Sequence, residues 1–334
     1  MRAPRRNQLG EEQIMVRLEK VKTTPEWQQV RAEIESAVLD LLEEIPKERP
    51  ELQVKTIDEM QFSGYVRRRI NYFVDLWERA TAWEFVPDGR DELPALLCCH
   101  SMTAQGKDEP AGIEGEPIMA LAQRYAEKGY VTLAPDCITA GGRVSTGLDP
   151  FDTKSFYKEN PRGSAMGKML ADHICAIDAL CDCKRVDPAR IGVVGHGFGA
   201  TNALMAAAFD ERIQACVASC GFTRFADDKD IGRWTRDRGF NYLPKLKRIG
   251  RKRLSFDWDH ILALSAPSPM LIITALNDTE FSNTRSCEKA VAAVTGLYRL
   301  LGAPDAIQSF VHDGGHQLTP EALEVADDWL DRWL

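Results

Sequence analysis

The sequence predicts an α/β protein: a mostly parallel central sheet of about eight strands, covered by helices on both faces and preceded by a helical extension. Three observations carry this. From Leu96 onward, short apolar runs alternate with segments of helical periodicity, the pattern of buried parallel strands and their crossover helices. The stretch Ile191-Gly192-Val193-Val194-Gly195-His196-Gly197-Phe198-Gly199-Ala200 reads as strand, tight turn and small-residue helix. Asp278 and His316 then follow two later strands, in that order.

The elements follow in chain order. Thr24 and Pro25 suit the cap and first turn of a helix, and Trp27, Val30, Ile34, Val38, Leu41 and Ile45 share one of its faces until Pro46 stops it. Residues 1–55 are therefore expected to be a helical extension that packs either on the body, residues 56–334, or on a second subunit. Tyr65, Ile70, Tyr72, Val74 and Trp77, then Trp83, Phe85 and Val86, suit two long antiparallel strands closed by Pro87-Asp88-Gly89. Apolar runs at 96–99, 131–134, 191–194, 216–219, 270–274 and 307–311 read as strands. Helices are expected over 118–128, ending at Gly129, around Leu170 to Leu180, over 200–209, and from Thr319 to the end. Two irregular insertions, 137–168 and 222–268, follow the carboxyl ends of strands, where such sheets hold their ligands. The second carries Trp234, Tyr242, Trp258 and the basic run Lys245 to Arg253; local packing for the aromatics and a solvated face for the charges are the plain readings.

With 334 residues and 44% hydrophobic content, the chain can bury a sizeable core. A net charge of -8 argues against nucleic acid or an anionic membrane as the main partner. No run of 18 apolar residues predicts a membrane-spanning helix, and the basic start lacks the apolar stretch of a signal peptide. Nine cysteines, an odd number without metal-binding spacing, read as reduced thiols of a cytoplasmic protein. Neither metal nor cofactor is expected. The expected partner is a small-molecule substrate or ligand, with a homo-oligomer through the N-terminal helices as a further expectation.

The glycine-rich stretch has the frame of a nucleophile elbow, G-x-S-x-G, with Gly197 where the serine stands. Such a turn lifts a nucleophile to the edge of the sheet; here there is no side chain to lift. The order of elbow, acid and histidine is that of a Ser-Asp-His triad, so Asp278 is the candidate acid and His316 the candidate base. His312 competes for the base but falls within a strand. Leu96 to Met102 lies where an oxyanion loop belongs, giving Ser101 and Met102 as candidates beside the N–H of Phe198, with His196 next to them.

The chain resembles bacterial α/β hydrolases of the dienelactone-hydrolase and acetyl-xylan-esterase-like group. The resemblance rests on Gln105 to Gly112, Gly129 to Asp136, Met166 to Met169, Asp187 to Gly192 and Ser219 to Thr223, and covers roughly residues 60–334. It implies the α/β-hydrolase fold and carboxylic ester hydrolysis by acyl transfer. The group's acid maps to Asp278, its base to His316 and its serine to Gly197, which is the departure. Three readings of the glycine follow: an introduced inactivation of an esterase, a natural enzyme in which the His316–Asp278 pair acts as a general base on water or on a substrate carbon acid (direct hydrolysis, a lyase or a cyclase), or a non-catalytic binding protein. Ser101 and Cys220 are the side chains to consider as substitute nucleophiles.

Overall fold

In a computed structural model, Ala95, Leu97 and Cys99 of one strand turn to one face of the sheet, while Leu96 and Cys98 turn to the other. This period-two alternation sorts the interior into two apolar layers. The structure describes residues 15, 17–45, 49–89, 91–235, 240–281 and 284–334. Pro46 and the basic start lie outside these.

The chain begins with α1 (Thr24–Leu42), β1 (Lys55–Gln61), β2 (Tyr65–Phe73), β3 (Arg79–Pro87) and β4 (Leu93–Cys99). Then come α2 (Leu121–Glu127), β5 (Val131–Pro135), α3 (Lys154–Glu159), α4 (Ala165–Asp182), β6 (Val186–His196), α5 (Phe198–Phe209) and β7 (Ile213–Ser219). It closes with α6 (Pro244–Ile249), α7 (Trp258–Leu264), β8 (Met270–Ala275), α8 (Thr284–Leu300), β9 (Ile307–His312) and α9 (Pro320–Trp333). Among the described residues the sheet has nine strands in the order β1-β2-β3-β5-β4-β6-β7-β8-β9, against the eight or so expected. From β5 to β9 all neighbours are parallel, whereas β1, β2 and β3 are antiparallel additions at one edge. The extra strand is β1, exposed along its whole length, so its residues carry no buried alternation to read.

Helices α2 and α9 cover one face, and α1, α4, α5, α7 and α8 the other. Among the described residues no helix is long and apolar enough to cross a membrane. Gly195 and Gly199 let β6, α5 and β4 meet: a β-carbon on Gly195 would lie 2.3 Å from the backbone of Gly199, and one on Gly199 2.2 Å from the carbonyl oxygen of Cys99.

Several local expectations are corrected. The cap of α1 is Thr23, not Thr24: its hydroxyl accepts from the N–H of Glu26, whose carboxylate takes the N–H of Thr23 in return. The β2–β3 hairpin turns at 74–78, where Asp75 accepts from the N–H groups of Trp77 and Glu78; Val74 and Trp77 are therefore outside the strands, and Pro87 to Gly89 lead from β3 to β4. Helix α1 buries Trp27, Ile34, Val38, Leu41 and Leu42 in the core shared with α4 and α7, so its apolar face is spent on the body. The basic run is a solvated face as expected, with Lys247, Arg248, Arg251, Lys252 and Arg253 exposed, and within it Lys245 pairs with Asp40 and Arg248 with Glu43, clasping α6 to α1. The insertion 222–268 ends as core, since α7 is buried along its length, with Trp258 at 2% exposure.

Candidate active site

Strand β6 delivers the chain to Gly197, whose φ of 56° and ψ of −121° form the sharp turn into α5. That left-handed φ is open to glycine and costly for other residues. Its N–H donates to the carbonyl of Ser219 at 2.8 Å, and its own carbonyl accepts from Thr201 at 3.1 Å, so the turn is fixed from both sides.

The loops after β8 and β9 are zipped together. Leu276 N–H donates to the carbonyl of His312 at 2.9 Å, and Asn277 N–H to that of Gly314 at 3.0 Å. This brings His316 onto Asp278, with Nδ1 3.1 Å from both carboxylate oxygens. An ionised carboxylate only accepts, so Nδ1 carries the proton and Nε2 is left as acceptor. Nε2 faces the elbow: a β-carbon on Gly197 would lie 2.8 Å from it. Burial raises the Asp278 pKa, but the bonds from His316 and from the N–H groups of Phe281 and Glu280 outweigh that, and its carboxyl lies below its ordinary value.

His312 does not compete. Its Nδ1 accepts from the N–H of Gly314 at 3.2 Å, within its own loop. His196 lies under the pair, its ring centroid 4.8 Å from that of His316 and its Nδ1 3.0 Å from the Ser219 hydroxyl. Burial, helped by the neighbouring His316, pushes its pKa down to about 3, so it is a neutral wall of the site.

On the opposite side stands the loop after β4. The N–H of Phe198, first in α5, has no intrahelical acceptor and is free for a ligand oxygen. Ser101 is a correction: its N–H donates to Glu109 at 3.0 Å and its hydroxyl to the same carboxylate at 2.8 Å. Both of its donors are used, so of the two loop residues expected to bind an oxyanion Met102 remains the candidate. His100 braces the loop from behind, with Nδ1 2.6 Å from the carbonyl of Ser101 and Nε2 accepting from the N–H of Cys137 at 3.1 Å. Cys220 is 2% exposed and sits beside Asp278, away from the cavity lining; burial, with the Asp278 charge, pushes its thiol up to about 12. Neither side chain is presented as a nucleophile.

His316, His196, Phe198, Ser101 and Met102 all line one cavity of about 700 Å³. Trp234, Phe240, Tyr242 and Phe281 give it aromatic walls, so Trp234 and Tyr242 serve as wall as well as packing. Arg233 lies 4.8 Å above the Phe281 ring and is paired with Asp228. Glu109 is the contributor that the sequence reading missed; its signal was a carboxylate eight residues beyond Ser101 inside a glycine-rich loop, and spacing alone does not reveal that contact. The arrangement offers a hydrogen-bonded imidazole base in a chamber whose aromatic walls are mixed with charged groups, Glu109, Glu116, Glu280 and Arg233. This suits proton transfer at a polarised carbonyl.

A family model described as the dienelactone hydrolase family matches residues 108–332. The putative hydrolase YtaP of Bacillus subtilis (strain 168) is 27% identical over 314 residues, 91% of this chain and 100% of that one. The quorum-quenching protein AidA of Acinetobacter baumannii (strain MDR-ZJ06) is 22% identical over 233 residues, 70% of this chain and 60% of that one. Among solved structures, a glucuronoyl esterase from Solibacter usitatus superposes with a TM-score of 0.75 at 16% identity, covering 97% of this chain and 98% of that one. A putative acetyl xylan esterase from Bacteroides fragilis NCTC 9343 gives 0.69 at 18% identity, covering 88% and 80%.

Proposed function

The chain belongs to the dienelactone hydrolase family, and we propose that it cleaves carboxylic esters by direct attack of water, with His316 as general base and no acyl-enzyme. The fold and family support an ester-hydrolase-like α/β hydrolase; the departure at Gly197 decides the chemistry within it. One observation carries the reading: the missing side chain would point at His316 Nε2, 2.8 Å from its β-carbon position, while Nδ1 is held by Asp278. The base keeps its orientation and its acceptor nitrogen although the group it would ordinarily deprotonate is gone.

The ester carbonyl oxygen sits against the N–H groups of Phe198 and Met102. A water on the cavity side of Gly197 gives a proton to His316 Nε2 as its oxygen bonds to the acyl carbon. Asp278 stabilises the imidazolium, and the backbone donors take the charge on the tetrahedral oxygen. Collapse breaks the bond to the alkoxide, which receives the proton from His316. Acid and alcohol leave, and His316 is neutral again.

Removal of the nucleophile from a serine hydrolase costs about 10⁶ in kcat and leaves roughly 10³–10⁴ over water. Slow turnover is therefore expected. The test is stopped-flow hydrolysis of a p-nitrophenyl ester panel with added hydroxylamine. A linear time course without a burst, no partition to hydroxamate through a common intermediate, and loss of turnover in His316→Ala are expected. A trapped acyl-enzyme, or turnover untouched by His316→Ala, overturns the mechanism. Tight retention of an ester with no turnover makes the chain a binding protein instead.

A further inference from the structure

We propose that Cys220, Asp278 and His316 form a binding site for a thiophilic divalent cation, with Zn²⁺ the best match, and that filling it switches off the base. The binding half stands on geometry alone; the switching half rests on the hydrolytic reading above.

One donor atom from each of the three residues lies within 4.8 Å of the others. Zinc binds thiolate at about 2.3 Å and imidazole or carboxylate at about 2.0–2.2 Å, which puts tetrahedral ligands roughly 3.5 Å apart. Closing the trio therefore asks for a movement of about 1 Å at the widest pair. His316 can supply it, because it follows Gly314 and Gly315 in the loop after β9 and is the least buried of the three. The set of one sulfur, one nitrogen and one oxygen favours zinc over the hard cations, which take oxygen ligands. Three protein ligands also leave a fourth position for water.

The placement of Cys220 is specific. It follows β7 with a φ of 53°, a left-handed conformation that side-chain-bearing residues seldom adopt. Its N–H is pinned to the carbonyl of Ile273 at 2.8 Å. In that posture its sulfur lies within 4.8 Å of a ligand atom of Asp278 and of one of His316. The proposed mechanism makes no use of the thiol.

The consequence for the base follows from proton placement. Without metal, His316 carries its proton on Nδ1 and offers the Nε2 lone pair to water. The metal would take Nδ1, the nitrogen on the Asp278 side. A neutral imidazole then holds its one proton on Nε2, which becomes a donor and can no longer accept from water. The thiol proton goes to solvent as the sulfur–metal bond forms. Thiolate and carboxylate together balance the charge of the cation, and one proton is released per metal bound.

Co²⁺ is the probe for binding, because a cobalt–thiolate bond absorbs in the near ultraviolet. The full chain titrated with Co²⁺ should develop that band at one equivalent, and Zn²⁺ should displace it. Cys220→Ser and Cys220→Ala should both lack it, and Asp278→Asn should weaken binding at least tenfold. Circular dichroism confirms that each variant is folded. Ester turnover should fall at least tenfold at saturating Zn²⁺, recover with EDTA, and stay insensitive to Zn²⁺ in Cys220→Ser. A missing band, or one that survives in both Cys220 variants, overturns the site. A band with undiminished turnover overturns the switch. If no ester is turned over at all, the hydrolytic reading fails while the cobalt band still decides the site.

Discussion

His316 Nε2 stands 2.8 Å from the point where a β-carbon on Gly197 would begin, so the imidazole occupies part of the volume that a nucleophile would need. Restoring serine there has two costs. The φ of 56° is strained for any side-chain-bearing residue, by about 1–3 kcal/mol. The imidazole must also retreat by a few tenths of an ångström. Glycine's larger unfolded-state entropy offsets roughly 0.5–1 kcal/mol. Gly197→Ser should therefore be less stable than the glycine form by about 1 kcal/mol. Urea melts at equal slope measure the difference through their midpoints. A serine form as stable as the parent would mean that the turn is not strained.

The same substitution should gain chemistry. The hydroxyl of Gly197→Ser would start against an imidazole whose Nδ1 is already tied to Asp278 at 3.1 Å. The expected outcome is a burst of p-nitrophenol, covalent labelling by a fluorophosphonate and a rise in turnover of at least 10²-fold, well short of the 10⁶ lost in serine proteases because the site has not been tuned around the residue. Mass spectrometry of the labelled chain reports the adduct directly. If Gly197→Ser is neither labelled nor faster, the backbone donors opposite His316 are not placed to hold a tetrahedral oxygen.

How much of this was legible beforehand depends on whether a residue's neighbours are local. The parallel strands were readable because burial on both faces writes continuous apolar runs, as at Met270 to Thr274. The elbow, acid and histidine were readable as an ordered set at the ends of strands. Strand β1 was not, because an exposed edge strand is held by backbone bonds to β2 and needs no apolar residues. The hairpin turn was misplaced because Pro87-Asp88-Gly89 is the stronger turn signal in sequence, while Asp75 makes its turn through side-chain acceptance that no dipeptide announces. Ser101 was assigned by its position on the loop. What disqualifies its donors is Glu109, a contact set by the folding of the loop back on itself.

Acid should unfold the protein in a way that two buried histidines make measurable. His173 and His196 are 2% and 4% exposed, and burial pushes the pKa of each down to about 3. In the unfolded chain both take a proton near pH 6.5. Between those values the unfolded state binds more protons than the folded one, so stability rises with pH. Their contribution is complete above about pH 6.5 and is lost as the pH falls toward about 3. Each group should add a slope of up to about 1.4 kcal/mol per pH unit. His173→Gln, 3.8 Å from Cys137 Sγ in the parent, should remove one proton from that slope whatever it does to absolute stability. Melts at half-unit steps from pH 4 to pH 7 supply the measurement. An unchanged slope would show that His173 is protonated in the folded state.

Glu109 should matter for rate and little for affinity. Its carboxylate takes the N–H and the hydroxyl of Ser101, both near 3 Å, and this fixes the loop that carries Met102, whose N–H is the proposed oxyanion donor. A glutamine has one accepting oxygen where the carboxylate has two, and it turns an amide donor toward the Ser101 hydroxyl. Glu109→Gln should therefore let Ser101 shift and misalign the Met102 donor. Outright loss of one oxyanion donor costs about 10²–10³ in kcat. Partial misalignment should cost roughly tenfold, in kcat far more than in KM, because the interaction is made chiefly in the transition state. Glu109→Asp, which keeps both acceptors on a shorter stem, should recover part of the loss. Steady-state kinetics on one activated ester, with circular dichroism melts to confirm folding, separates the cases. A tenfold rise in KM at constant kcat would place Glu109 against the substrate itself, and would remove it from the support of the loop.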